Sequence, residues 1–382
     1  MSSDPLSIRP ATDEPLRTGP QATASDDRRF VTPYYVLFGL WLIGTIHFAR
    51  SSENTNSNRL FAVACVLTAL MIGLRYQVGG DWEPYLNIYD SIYFQPLIPA
   101  LGLSDPGYAF FNWLAARLDT GIWLPNMVCA ILFMAGVGRL ASRQPQPWLA
   151  MLVAVPYFVI VVAMGYTRQA AAIGIVCFAI ADAGEKNIGR TIVLIGIAAL
   201  FHKTAILMLP LAIGPIAVRK ILTAVLSGIA FLGLFALLLR GQSDQMIMSY
   251  AQSDYNSQGA PVRIAMNVLA GGIFLLLSKR FTLNRYQNLY WRFNAFASFI
   301  SIIALATLSA SSGVDRLSLF LIPLQMVTLS RVPQALSGSR KLILPALFAV
   351  VGYCFTVEFV WLNFAENAGL WIPYSTTLFH GL

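Results

Sequence analysis

Charge is scarce in this sequence. Only 12% of the 382 residues are Asp, Glu, Lys or Arg, about half the share a soluble domain carries. A chain that poor in charge argues against an ordinary soluble enzyme or binding module. Cysteine is scarce too. The four present (Cys65, Cys129, Cys177, Cys354) lie in apolar stretches without Cys-x-x-Cys spacing. They read as small core residues, not as disulfides or metal ligands. Three widely separated histidines argue against a zinc site. No fixed-period repeat runs along the chain. The N-terminus lacks the short apolar core of a signal peptide.

What the sequence has in excess is apolar residues, 57% of the chain, with a mean hydropathy of +0.63. That composition predicts an all-α polytopic membrane protein built of spanning helices. Residues 1–31 are Ser-, Thr-, Pro-, Asp- and Arg-rich and read as a disordered polar tail. Residues 32–382 read as the membrane domain. Apolar stretches near 33–49, 59–76, 121–138, 147–164, 167–183, 188–201, 203–217, 221–239, 262–278, 292–309, 314–330 and 342–360 predict about twelve spans, with 10–14 as the range. Several are short, and 188–217 reads as a pair of tilted or broken helices.

The net charge of +8 does not indicate nucleic-acid binding in such a chain. Basic residues concentrate in cytoplasmic loops. One set of loops holds Arg50, Arg139, Arg143, Lys186, Arg219, Arg331 and others, fifteen of the 26 basic residues, against three acids. That set is assigned to the cytoplasm. Two outward segments are then long, about 77–120 and 241–260. The first includes an aromatic run, 109–117, read as an interfacial helix.

A few cations break the trend. Arg75, Arg168, the His202–Lys203 pair and Arg316 all fall on the outward side, each where an apolar stretch begins or ends. Cations placed against the charge bias need a partner. The pattern predicts an anionic ligand with more than one negative charge, since arginine's planar fork suits phosphate. Each residue also has a plain structural reading. Arg75 and Arg168 could snorkel, Asp315 could neutralise Arg316, His202 could sit satisfied in the core, Lys203 could anchor the interface, and Asp81 could cap a helix.

The residues carry a resemblance. The segment Arg75-Tyr-Gln-Val-Gly-Gly-Asp81-Trp-Glu-Pro-Tyr85 resembles the R-Y-x-V-G-x-D-x-x-x-Y segment of EpsG-family proteins. These are Wzy-like polymerases of bacterial exopolysaccharide and O-antigen. Tyr166-Thr-Arg168-Gln-Ala-Ala-Ala, Phe201-His202-Lys203-Thr204-Ala205 and Asp315-Arg316-Leu317 resemble later family segments in the same order, over roughly residues 35–335. Gly80 stands where the family often has Thr, and the N-terminal tail is longer than usual.

The resemblance implies a membrane glycosyltransferase with a Wzy/O-antigen-ligase-like architecture. It would act at the outer face of the inner membrane, with its site toward the periplasm. Its donor and acceptor would be undecaprenyl-diphosphate-linked oligosaccharides, the growing chain passing to the non-reducing end of an incoming unit. It would need no nucleotide sugar, cofactor or metal. A flippase and chain-length or export proteins are candidate partners, alongside membrane lipids.

In that setting Arg75, Arg168 and Arg316, assisted by Lys203, are the candidate diphosphate clamp. His202 or Asp81 is the candidate base, with His202 slightly preferred because imidazole titrates near neutrality. Tyr76, Trp82, Glu83, Tyr85 and Tyr108 are candidate sugar contacts. Rival readings are a transporter or flippase of the same lipid-linked sugar, a membrane acyltransferase relying on His202, and a structural subunit of a secretion complex. The paired broken halves common in transporters are not evident.

The orientation is testable. Single cysteines introduced at positions 80 and 255 should react with a membrane-impermeant thiol reagent from outside. Cysteines at 143 and 283 should not, and the reverse pattern would invert the topology.

Overall fold

The computed structural model describes residues 24–48, 55–217, 259–307, 311–337 and 340–378. The stretch expected to span at 221–239, and nearly all of the loop 241–260, lie outside the described residues. Among the described residues the fold is all-helical, and the β-type pairing found is an isolated antiparallel bridge between Arg75 and Thr376.

The chain begins with α1 (Ala24–Phe48) and α2 (Thr55–Gly73), followed by α3 (Trp82–Tyr93), α4 (Leu97–Leu101) and α5 (Pro106–Leu118). It continues through α6 (Trp123–Ser142) and α7 (Pro147–Ala154), which runs on as a π-helix over Val155–Ala163. Then come α8 (Thr167–Ala181), α9 (Ile188–Phe201), a 3-10 turn (Lys203–Leu207) and α10 (Met208–Ala217). The last part comprises α11 (Ala260–Leu277), α12 (Arg285–Thr307), α13 (Ser311–Ser318), α14 (Pro323–Leu329), α15 (Val332–Ala335) and α16 (Arg340–Phe364).

Among the described residues, six helices are long and apolar enough to cross a bilayer: Val31–Phe48, Asn56–Gly73, Trp123–Ser142, Ala260–Arg280, Arg285–Thr307 and Lys341–Phe364. The molecule is an integral membrane protein. Four further apolar helices, at Pro147–Ala163, Thr167–Ala181, Ile188–Phe201 and Lys203–Ile216, are shorter. Twelve full-length spans are therefore not what the described residues display. The apolar run 147–164 keeps its direction but changes hydrogen-bond register at Pro156, which has no N–H to give the helical ladder. The run 188–217 is broken at His202, whose extended backbone (φ −155°, ψ 111°) separates α9 from the turn that follows. The expected span 314–330 is α13, a 3-10 turn and α14, the last starting at Pro323. Helix α1 begins at Ala24, and its apolar, membrane-length part runs from Val31 to Phe48.

Burial sorts the helices into centre and rim. Every residue of the π-helical segment is buried, as expected of a helix apolar on all sides. The long helices instead leave apolar faces uncovered. Ile43 and Ile46 on α1, Val63 and Val66 on α2, Ile300 and Ile303 on α12, and Phe348 on α16 are exposed. Uncovered apolar faces on spanning helices belong against lipid tails.

The tightest helix pair is α6 against α8. A Cβ at Gly136 would run into the Gly174 carbonyl, and one at Gly174 would strike the Leu132–Phe133 backbone. With no hydrophobic force between helices inside a bilayer, close backbone approach at small residues is what holds them. Neither contact can yield by rotating a side chain. Gly174→Val should cost at least ~1–3 kcal/mol, seen as a lower melting temperature or lost folded yield in detergent; an unchanged melt would contradict this packing.

Candidate functional site

The helices alternate in direction, so their connections gather at two ends. At one end lie the α2–α3 loop, the start of α8, the α9–α10 break, the start of α11 and the residues 366–377 after α16. The outward-assigned cations meet there.

Arg75 closes the α2–α3 loop. Its side chain is 1% exposed. Nε donates to the Val78 carbonyl at 3.1 Å, Nη1 to the Ile72 carbonyl at 2.7 Å and Nη2 to Thr167 Oγ1 at 2.6 Å. The guanidinium also lies 5.9 Å from the Trp82 ring. So Arg75 does not snorkel. It points inward and ties the loop to the residue preceding Arg168. The loop can make this turn because Gln77 and Gly79 adopt positive φ, 52° and 109°. A Cβ at Gly79 would also collide with the Met164 carbonyl. The C-terminal segment fastens the loop from outside. Gly79 N donates to Leu370 O at 2.8 Å, Tyr76 N to Ser375 O at 2.9 Å and Thr377 N to Leu74 O at 3.0 Å. Gly80 has room: its Cβ would meet the Trp371 ring at an ordinary 3.5 Å, so the family's Thr would fit.

Arg168 sits one residue beyond Thr167, in the first turn of α8. Nη1 pairs with Asp105 Oδ2 at 2.9 Å and donates to Ser104 Oγ at 3.2 Å. The guanidinium lies between the rings of Tyr85 (5.7 Å) and Tyr108 (5.9 Å). Its buried Nε has no protein acceptor. The other Asp105 oxygen accepts from the Lys203 backbone N–H at 3.3 Å, which joins the α9–α10 break to the same carboxylate. Burial pushes the Asp105 carboxyl above the usual carboxylate range, with Arg168 and Lys203 pulling it back.

Arg316, on α13, reaches Asp81 at 3.9 Å and covers the Tyr166 ring at 5.8 Å. Its backbone carbonyl accepts from Gln169 Nε2 at 2.5 Å, so α13 and α8 are locked together here. Asp81 precedes α3 but makes no side-chain cap to it, which removes the capping explanation. Burial raises its carboxyl, opposed by Arg316 and then Arg168. The Arg316–Asp81 pair is partly solvated, and such pairs contribute ~1 kcal/mol or less. An incoming phosphate could therefore take Arg316 from Asp81 at small cost.

His202 is buried beside these cations. Its Nδ1 accepts from the Thr204 N–H at 3.4 Å and lies 2.8 Å from Thr204 Oγ1. With Nδ1 accepting, the neutral ring carries its proton on Nε2. Burial first, then Arg168, Arg316 and Lys203, lower its pKa from 6.5 to about 3. The imidazole is thus neutral at working pH and poorly suited to take a proton.

The five sugar-contact candidates divide. Trp82, Tyr85 and Tyr108 are buried, Tyr85 and Tyr108 as the walls around Arg168. Tyr76 is partly buried, 6.0 Å from the rings of both Trp82 and Trp123. Glu83 faces solvent on α3.

Sequence reasoning had passed over Asp105 as a counter-ion, and Arg263 altogether. Arg263, in the first turns of α11, pairs with Asp315 Oδ2 at 2.5 Å, and its Nη1 donates to the Tyr157 phenol Oη at 2.9 Å. The signal was present, since Arg263 is another cation at an outward span start. Asp315, the neighbour of Arg316 in sequence, forms its ion pair with Arg263.

The fold defines a polytopic helical membrane protein with a cluster of paired, largely buried charges at one end of its bundle. The chain belongs to the EpsG family, whose family model matches residues 58–376. No curated protein and no solved structure matches.

The buried neutral His202 makes stability pH-dependent. Its folded pKa lies below its unfolded value, so its contribution is complete above about pH 6.5 and is lost as pH falls toward 3. At pH 5 the loss is ~2 kcal/mol. The melting temperature of the wild type should fall between pH 7 and pH 5, and that of His202→Asn should fall less; equal slopes would show that His202 titrates as a solvated group.

Proposed function

We propose that this chain is an exopolysaccharide repeat-unit polymerase. It transfers the growing glycan from undecaprenyl diphosphate to the non-reducing end of an incoming lipid-linked unit. Membership of the EpsG family supports an exopolysaccharide polymerase-like activity. The observation that supports the site assignment is the meeting of Arg168, Arg316, Lys203 and His202, with Asp105 and Asp81 as the counter-ions of Arg168 and Arg316, from elements far apart in sequence.

In this reading the shorter apolar helices also cross a bacterial inner membrane, toward the about twelve spans the sequence predicts. The basic-residue bias then puts the cluster on the periplasmic side. The donor's diphosphate lies on Arg168 and Arg316, with Lys203 adding charge. The Arg168 Nε that lacks a protein acceptor donates to it. His202 Nε2–H is a further donor, so its role is to hold the anion, and Asp81 takes the part of base.

The reaction breaks the bond from the sugar's C1 to the diphosphate oxygen and forms one from C1 to the acceptor oxygen. Negative charge grows on the departing lipid diphosphate, where fixed guanidinium groups stabilise it strongly because little water competes. The acceptor hydroxyl gives its proton to Asp81, whose carboxyl is already raised by burial. Tyr76 and Glu83, the accessible members of the aromatic and acidic set, are the sugar contacts. Arg75 positions the loop that carries Asp81, because its donors already hold Val78, Ile72 and Thr167. Cationic side chains take the place of a divalent ion at the diphosphate.

The test uses purified protein and a defined lipid-diphosphate oligosaccharide. Products should form a ladder of longer glycans on the carrier, with EDTA present or absent. Arg168→Lys and Arg316→Lys should lose at least tenfold in rate at normal protein level, because an ammonium cannot supply the bidentate fork. Arg75→Lys should instead lower folded yield. Unlengthened units delivered across a vesicle wall would establish a transporter; wild-type ladders from both Lys variants would refute the clamp, and loss with EDTA restored by Mg²⁺ would refute the metal-free proposal.

A further inference from the structure

The opposite end of the bundle holds a cavity of about 610 Å³, within the range of small-molecule sites. It opens where α1 ends, α2 begins, α6 ends and α7 begins, so it lies at a boundary of the spanning region, away from the charged cluster described above. Arg331, Arg143, Gln144 and Gln334 line one part of it, and Trp148 and Phe48 another.

Arg331 is the unusual member. It lies between α14 and α15 and is 6% exposed. Nε donates to Gln144 Oε1 at 3.1 Å and Nη1 to the Thr282 carbonyl at 3.3 Å. Both acceptors are neutral, and no carboxylate among the described residues pairs with it. Burial alone brings its pKa down to about 10, so it stays charged. A buried guanidinium without a counter-ion is costly to maintain. The contrast with Arg75 is informative: Arg75 is closed off by packing, while Arg331 faces open space.

Arg143 adds to the imbalance. It shares a single carboxylate, Asp182, with Arg139, at 2.6 Å and 2.8 Å. Among the described residues, Arg139 and Arg143 thus divide one carboxylate, while Arg331 is held by neutral acceptors. The Trp148 and Phe48 rings stack 5.4 Å apart at 19°, and Ser57 Oγ accepts from the Trp148 indole N–H at 3.2 Å. A tryptophan held at a membrane boundary beside Arg331, which has neutral partners, and Arg143, which shares its carboxylate, matches the chemistry of an anionic headgroup: phosphate on the cations, glycerol carbons on the aromatic wall.

The geometry points to a second binding site in this cavity, for a phosphate group held by Arg331 and Arg143. The group is carried either on an anionic phospholipid headgroup or on a water-soluble phosphate ester of similar size. Such a ligand supplies the missing counter-charge and fills a space much larger than a bare phosphate ion. The site is independent of the polymerase reading, because it shares no residue with the cluster at the other end.

The full chain in detergent should be titrated separately with short-chain phosphatidylglycerol, short-chain phosphatidylcholine and glycerol 3-phosphate, following the melting temperature. Phosphatidylglycerol should raise it saturably and phosphatidylcholine should not. Arg331→Gln, which keeps a polar group beside Gln144, should weaken binding at least tenfold, and Arg143→Gln about threefold. Glycerol 3-phosphate acting with the same dependence would support the site with a soluble ligand as its source. If Arg331→Gln does not yield folded protein, the half-exposed Arg143 decides the matter through its own variant. The proposal is overturned if neither phosphate probe shifts the wild type, if phosphatidylcholine acts as strongly as phosphatidylglycerol, or if the folded variants bind as the wild type does.

Discussion

The site's geometry depends on one buried guanidinium. Arg75 has almost no access to solvent, and a charge in that position costs several kcal/mol unless its donors are satisfied. Two backbone carbonyls and the Thr167 hydroxyl satisfy it. Those acceptors come from both sides of a gap, the α2–α3 loop and the start of α8. Meeting them holds the loop in its tight turn and sets the height of α8. Asp81 and Arg168, the next charged residues on each element, inherit their positions from that contact. Residues 366–377 then cover the loop, with Trp371 reaching the Ile160 carbonyl and accepting from Tyr34 through its own carbonyl.

Above this support the charges are balanced loosely. Arg168 has Asp105, Arg263 has Asp315, and Arg316 has Asp81 at the longest separation of the three. The pairing keeps the cluster folded without a ligand, and its weakest member lies where solvent reaches. His202 stays neutral because burial and three nearby cations all oppose a further positive charge. The two ends of the bundle thus differ in kind. At one, cations are matched with carboxylates. At the other, Arg331 has neutral partners and a cavity in front of it.

Much of the architecture was legible in the sequence because bilayer physics leaves few options. Apolar runs must be helical, and basic residues concentrate on one side. That bias made the exceptions visible, and Arg168, Arg316, His202 and Lys203 do gather at one end with Asp81. Span lengths were less legible. An apolar run looks continuous whether or not its hydrogen-bond ladder is interrupted, as at Pro156 and His202. The preference for His202 as base rested on the solution behaviour of imidazole. Burial and neighbouring charge, neither visible in a linear chain, keep the ring neutral and weigh against that preference.

By itself the sequence determined the class: a helical membrane protein with a few displaced cations, because composition and charge bias respond directly to the bilayer. Only the tertiary structure decided which cation does what. Arg75, Arg168 and Arg331 are the same side chain at similar helix ends. One is enclosed by three acceptors, one is shared between a carboxylate and two aromatic rings, and one faces a cavity. Those environments are assembled from residues up to 187 positions apart, and no local pattern encodes them.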